Sequence, residues 1–318
     1  NLNRLSLYLF TLITAAIGVQ LLTGHGSINP GDSVYMNISG KTISSVFGGL
    51  LFGIGMTFCS GCTTSTLIKF GEGNIKSLII LTLSGIAAIS TMRGSLGSIR
   101  IYLFEDNFLA RKINNFFEYK VSLGSDMEWL WSILLSTFLM FLLLKHVKTL
   151  EIRKNASWGL VIGLCVVGAW FVSGNIGFLA EHPDTLESKY ILTNSGKPES
   201  FSFIGPLAYS IEFFLYQSDS SKFISFGIIV LFGLLLGSYL SARLQKRFKI
   251  EFFTTKNDIV YCFLGSTLMG FGGVTASGCT LGHGLSGLSL GSFNSIIVVG
   301  SIAIGTVLGI RHMENKVA

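Results

Sequence analysis

The sequence predicts an all-α polytopic membrane protein built as two parallel, pseudo-symmetric halves with re-entrant or broken helices. Three observations carry that prediction. Of 318 residues, 49% are hydrophobic and only 13% charged, with a mean hydropathy of +0.61, whereas a soluble domain carries about 25% charged residues. Apolar runs recur at the length of a bilayer-spanning helix, about 20 residues, and the ~10-residue alternation of a membrane β-barrel does not occur. Finally, Gly48-Gly-Leu-Leu-Phe-Gly-Ile-Gly-Met-Thr-Phe-Cys-Ser-Gly-Cys62-Thr63 is written again, 217 residues later, as Gly265-Ser-Thr-Leu-Met-Gly-Phe-Gly-Gly-Val-Thr-Ala-Ser-Gly-Cys279-Thr280, with 8 of 16 positions identical.

Continuous helices are expected over 5–22, 75–92, 128–145, 156–180, 222–241 and 290–310. Two further apolar segments, 43–72 and 257–288, are interrupted at Ser-Gly-Cys-Thr. Their arms of roughly 15 and 8 residues fall short of ~30 Å of hydrocarbon at 1.5 Å per residue. They therefore read as re-entrant hairpins or broken helices, whose non-helical backbone survives only where protein covers it or water reaches it. The repeat divides the chain into halves 1–150 and 151–318, one interrupted segment in each.

Net charge is +6 and the isoelectric point about 9.0. The basic residues crowd short loops between apolar runs, which marks cytoplasmic loops rather than a nucleic-acid surface. Lys145, Lys148, Arg153 and Lys154 form one such loop, and Arg243, Lys246, Arg247 and Lys249 another. The stretch 181–221, with Glu181, Asp184, Glu187, Glu199 and Asp219, then lies outside. Counting from these anchors, 75–92 and 290–310 both run from inside to outside. Both Ser-Gly-Cys-Thr segments enter from the cytoplasm, and the halves are related by an axis along the membrane normal. Residues 93–127 hold five basic residues on the outer side by this count and read as an interfacial amphipathic helix.

The candidate site is the pair of interruptions. Cys62 and Cys279 each follow a glycine, Gly61 or Gly278, within turns begun by Ser60 and Ser277. Thr63 and Thr280 suit N-caps of the short second arms. A helix start carries exposed N–H donors and partial positive charge, so it attracts anions. A thiol is a weak donor on a polarizable atom, which suits a soft sulfur-containing anion better than sulfate or phosphate. The competing explanation is that Gly and Cys simply let helices pack closely. Cys59 completes a C-x-x-C pattern with Cys62 and admits a redox or metal reading. Its repeat counterpart is Ala276, however, and zinc wants four ligands. Cys165 and Cys262 read as packing residues. His283, in Gly282-His-Gly284, is either a hydrogen-bond or proton carrier or a locally satisfied polar residue; its repeat counterpart is Thr66. Residues 198–216, which include Gly205, are a further dip into the membrane or an aromatic belt. Phe70-Gly-Glu-Gly-Asn74 and Leu290-Gly-Ser-Phe-Asn294 read as matched exit turns. No residue takes a catalytic role, so no enzyme is expected, and neither cofactor nor metal.

These residues resemble the YeeE/YedE family of sulfur-compound transporters. The resemblance rests on Gly48-Gly-Leu-Leu-Phe-Gly-Ile-Gly-Met, Ser60-Gly-Cys62, Gly71-Glu-Gly-Asn74, Ser202-Phe-Ile-Gly-Pro-Leu207, Leu268-Met-Gly-Phe-Gly-Gly and Gly278-Cys-Thr-Leu-Gly282 with Gly284-Leu-Ser-Gly287. It implies an hourglass-shaped, multi-pass transporter of the bacterial inner membrane that imports thiosulfate for sulfur assimilation. Loops would dip in from both faces, cysteines matching Cys62 and Cys279 would relay the ion, and a cytoplasmic sulfurtransferase would be a partner. Two departures stand out. The family's Arg-Phe-Cys type motif ahead of the first helix does not occur in this sequence, and Gly-His283-Gly replaces a Gln-containing version. A selenium compound or another small anion as cargo, and a membrane thiol oxidoreductase using Cys59 and Cys62, are the alternatives.

Overall fold

The structure, a computed structural model, describes residues 2–36, 42–104, 149–181, 187–219, 222–253 and 256–317. The helix expected over 128–145, the interfacial helix beyond residue 104, Asp184 and the basic loop at Lys145 and Lys148 lie outside the described residues. The helices are α1 (Leu2–Gly24), α2 (Thr42–Phe58), α3 (Thr63–Gly71), α4 (Ile75–Arg93), α5 (Ser95–Phe104), α6 (Thr149–Phe171), α7 (Ile204–Leu215), α8 (Phe226–Leu244), α9 (Lys256–Thr275) and α10 (Phe293–Val317). A two-stranded ribbon, β1 (Phe178–Leu179) with β2 (Lys189–Tyr190), is the sheet found among the described residues. Seven helical stretches there are long and apolar enough to cross a membrane, counting Thr42–Gly71 as one broken span. The chain is thus an all-α, multi-pass membrane protein.

The described residues fall into two compact units. The first draws on Asn1–Ile38, Phe117–Phe201 and Gly282–Ile296, the second on Ser39–Phe116, Ser202–Leu281 and Ile297–Ala318. In the first, α1 and α6 run parallel, with Thr14 facing Gly163 and Gly18 facing Val167. The small-xxx-small pair Gly159 and Gly163 lets these backbones approach closely, as helices do in lipid.

The second unit holds the first interrupted segment and the second as far as Leu281. At its centre α2 and α9 lie against each other along glycine faces. A methyl on Gly55 would stand 2.6 Å from the Gly265 carbonyl oxygen, and one on Gly272 would stand 2.5 Å from the Phe52 nitrogen. The contacts are reciprocal under the repeat: Gly48 abuts Gly272 and Ala276, while Gly265 abuts their counterparts Gly55 and Cys59. Reciprocity of this kind is the signature of a twofold relation. The same relation extends outward. Gly53 of α2 abuts Ile302 and Thr306 of α10, and Gly270 of α9 abuts Ser84 and Ala88 of α4.

Direction corrects one expectation. Early residues of α2 meet late residues of α9, as in the hydrogen bond from Ser44 Oγ to the Thr275 carbonyl (2.8 Å). The repeated helices are therefore antiparallel, not parallel, and their twofold axis lies across the helices rather than along them. Gly49 faces Ser301 and Gly309 faces Thr57, so α10 follows the direction of α2 and runs opposite to α9 and α4. The expectation that 75–92 and 290–310 run the same way is overturned. The charge-based count assumed that each interrupted segment returns to the face it left. These packing directions make 43–72 and 257–288 broken spans in which the chain changes face.

Around this centre, α7 supplies Ile204 and Ala208 to the buried cluster of Phe52, Met269 and Cys279. A second cluster joins Leu67 of α3, Leu81 of α4, Leu207 of α7 and Leu231 of α8. The two matched exit turns both place a glycine at positive φ, Gly73 at 105° and Gly291 at 79°. Asn74 caps α4 by accepting from the Ser77 nitrogen (3.0 Å).

Candidate functional site

Each interruption is a helix end followed at once by a new helix start. Both α2 and α9 close with the same hydrogen bonds. Ser60 N donates to Thr57 O and Gly61 N to Met56 O; Ser277 N donates to Val274 O and Gly278 N to Gly273 O. This is the Schellman pattern, whose penultimate residue sits in the left-handed region. Here that residue is a serine, Ser60 at φ 57° and Ser277 at φ 62°, where an L-residue costs about 1–2 kcal/mol. The same strained residue in both copies turns the chain so that Cys62 and Cys279 directly precede the next helical residue.

Cys62, and not Thr63, is the N-cap of α3 (φ −75°, ψ 168°), and its side chain makes no capping bond. The expected N-cap role of Thr63 is thereby corrected. The turn ends one residue earlier, so Thr63 falls in the first helical position. Its hydroxyl is buried with no hydrogen-bond partner, as is that of Thr64. The first N–H groups of a helix likewise have no intrahelical acceptor. A thiol, two unsatisfied hydroxyls and a positive helix end thus meet at one point.

At the second break, Cys279 is buried within the cluster against which Cys62 packs. The structure therefore brings the two repeated thiols into one cluster. Ser202, just ahead of α7, places its Oγ 4.0 Å from Cys279 Sγ, and Thr280 donates its hydroxyl to Met56 Sδ at 3.8 Å. Gly205 has room for a methyl group, with Tyr209 Cε2 the nearest atom to an added Cβ at 3.8 Å, an ordinary van der Waals contact. The segment holding it enters the core, so Ile204 and Ala208 serve as more than a surface belt.

Cys59 is buried and directs its thiol to the Cys262 carbonyl at 3.8 Å. Lys76 pairs with Asp258 at 2.6 Å, and Cys262 is buried in the core cluster. Among the described residues no group of three or more His, Cys, Asp or Glu is arranged to hold a metal ion. His283 belongs to the first unit. It is fully buried, shares a hydrogen bond between Nδ1 and Ser295 Oγ at 3.1 Å, and meets the Tyr35 ring edge-on.

The sequence did not mark Ser202, Met56 and Thr64, which the structure places at the candidate site. Each acts through one contact between distant elements, or through the lack of one, and leaves no local spacing to detect. Lys69 had a signal, since seven residues past Cys62 is two turns along the same helix face. Its Nζ donates to the Ser60 carbonyl at 2.8 Å.

A family model described as sulphur transport matches residues 1–308. The thiosulfate transporter TsuA of Escherichia coli is 24% identical over 301 residues, covering 87% of this chain and 76% of that protein. The thiosulfate transporter TsuA of Spirochaeta thermophila is 24% identical over 257 residues, covering 77% of this chain and 70% of its own length.

Proposed function

The chain belongs to the sulphur transport family, and from that premise we propose that it imports thiosulfate, or a closely related sulfur anion, past the thiols of Cys62 and Cys279. Transport of sulfur compounds, rather than enzymatic turnover, follows from membership. The choice of ion and the route are this proposal. The observation that carries it is the twofold-related pair of helix breaks, each presenting a thiol at a helix start within one buried cluster.

With the 243–249 loop in the cytoplasm, the break at Cys279 lies toward the outside and the break at Cys62 toward the inside. The anion meets Ser202 and Cys279 first, then Thr280 with Met56, then Cys62 with Thr63 and Thr64. S–H groups donate to the terminal sulfur, while hydroxyls and helix-start N–H groups take the oxygens. Ser60, Gly61, Ser277 and Gly278 hold the turns. Halves 1–150 and 151–318 each contribute one thiol. The inner membrane of a bacterium is the setting, and a cytoplasmic sulfurtransferase is the acceptor of the imported anion.

Labelled thiosulfate uptake by cells with no other thiosulfate route tests this. Cys62→Ala and Cys279→Ala each lower uptake at least tenfold at equal membrane abundance, and Cys59→Ser leaves it within about twofold, magnitudes in line with loss of a charged-ligand hydrogen bond. Wild-type uptake by both alanine variants sinks the thiol route. Loss of uptake in Cys59→Ser alone returns the case to a redox pair.

A further inference from the structure

We propose that the basic cavity beside the Cys62 break is a second anion site, an exit vestibule in which Lys69 and Arg247 hold the oxyanion end of the departing ion. The assignment rests on the transport reading above. The cavity has a volume of about 310 Å³ and is lined from the turn after α2, from α3, from the start of α4 and from the loop after α8.

Its charges are not balanced. Lys69, Lys76, Arg247 and Lys249 line it against Glu72 and Glu251. Lys76 is paired with Asp258 at 2.6 Å, and Lys249 faces Glu251 at 3.9 Å. Glu251 also accepts from Asn74 Nδ2 at 2.9 Å. With Asp258 included, four cations face three carboxylates. Among the described residues neither Lys69 nor Arg247 has a carboxylate partner within ion-pair distance. Lys69 spends one donor on the Ser60 carbonyl. An ammonium carries three donors and a guanidinium five, so both retain capacity for a ligand.

Position gives this surplus its meaning. Cys59 and Ser60, the last residues before the break, are part of the cavity wall. Lys69 Nζ lies 3.5 Å from where a Cβ on Gly61 would stand. An anion passing Cys62 therefore comes next to Lys69. Thiols suit the soft terminal sulfur, whereas ammonium and guanidinium groups form charge-assisted hydrogen bonds with hard oxygens. The two sites thus divide recognition. The breaks select for sulfur, and the vestibule accepts any small oxyanion with tetrahedral S–O or P–O oxygens. Sulfate should occupy the vestibule without crossing.

The test is thiosulfate flux in oriented phosphatidylcholine proteoliposomes, which contain no anionic lipid to supply a headgroup to the site. In the wild type, sulfate inhibits only from the vestibule face. Lys69→Gln with Arg247→Gln raises half-saturating thiosulfate on that face about tenfold, leaves the opposite face within about twofold, and abolishes sulfate inhibition; Lys69→Arg with Arg247→Lys retains it. Sulfate inhibition equal from both faces, or a double variant that shifts both faces alike or neither, overturns the vestibule. Calorimetric sulfate binding to the detergent-solubilised protein separates this from failure of the transport reading. If thiosulfate does not cross, sulfate binding that the double variant loses still supports the vestibule, and binding that it keeps removes it.

Discussion

Glu199 shows how one side chain can tie the molecule to pH. It lies in the stretch leading to α7, is buried, and takes its backbone N–H to Ser173 Oγ at 3.3 Å. Burial pushes its carboxyl up to about 7, against the lowering effect of a Ser195 hydrogen bond. The sign follows from proton counts. Between the ordinary carboxylate range and pH 7 the folded chain binds a proton that the unfolded chain has released, so stability falls as pH rises through that window. The loss levels off above pH 7 and is on the order of 3 kcal/mol for a shift of this size. Melting measurements on the purified protein should show wild type less stable at pH 8 than at pH 5, with Glu199→Gln nearly flat and more stable than wild type at pH 8. Parallel curves for the two proteins would mean that the buried charge is not what titrates.

At the scale of elements, the twofold contact between α2 and α9 depends on bare backbone. The atoms facing Gly272 are backbone atoms of Phe52, Gly48 and Leu51, and none can swing aside. Gly272→Ala should therefore cost about 1–3 kcal/mol or more through overpacking and lower the melting temperature. Gly205→Ala meets nothing closer than 3.8 Å and should leave melting unchanged, so any effect it has on uptake reports on the path itself. If the two variants melt alike, close packing of α2 on α9 is not what stabilises this unit. The sequence made much of this pairing readable. Gly48 and Gly55 recur as Gly265 and Gly272, seven residues apart and so on one helix face, and the Ser-Gly-Cys-Thr breaks marked both thiols. Direction was not readable there, because two copies of a segment look identical whether they pack parallel or antiparallel. Nor was the N-cap shift from Thr63 to Cys62, which depends on Ser60 entering the left-handed region, a place serine seldom occupies.

At the scale of the whole chain, antiparallel repeats make a prediction about sidedness that parallel ones contradict. Charge bias puts the 243–249 loop in the cytoplasm, and Lys249 N donates to the Glu72 carbonyl at 3.1 Å, so the turn before α4 lies on that side too. From there α4 carries the chain outward to Ser95. Because α10 follows α2 and opposes α4, its far end at Glu314 must return to the side of Glu72. The parallel arrangement expected from charge alone sends α10 the other way and leaves Glu314 outside. Single cysteines placed at Glu72, Ser95 and Glu314 in a variant lacking the five native cysteines decide between them. An impermeant thiol reagent applied to intact cells should label the cysteine at 95 and spare those at 72 and 314, which react only after the membrane is opened. Labelling at 314 in intact cells would restore the parallel repeat. The two thiols would then face the same side of the bilayer, and an ion could not meet them in sequence from outside to inside.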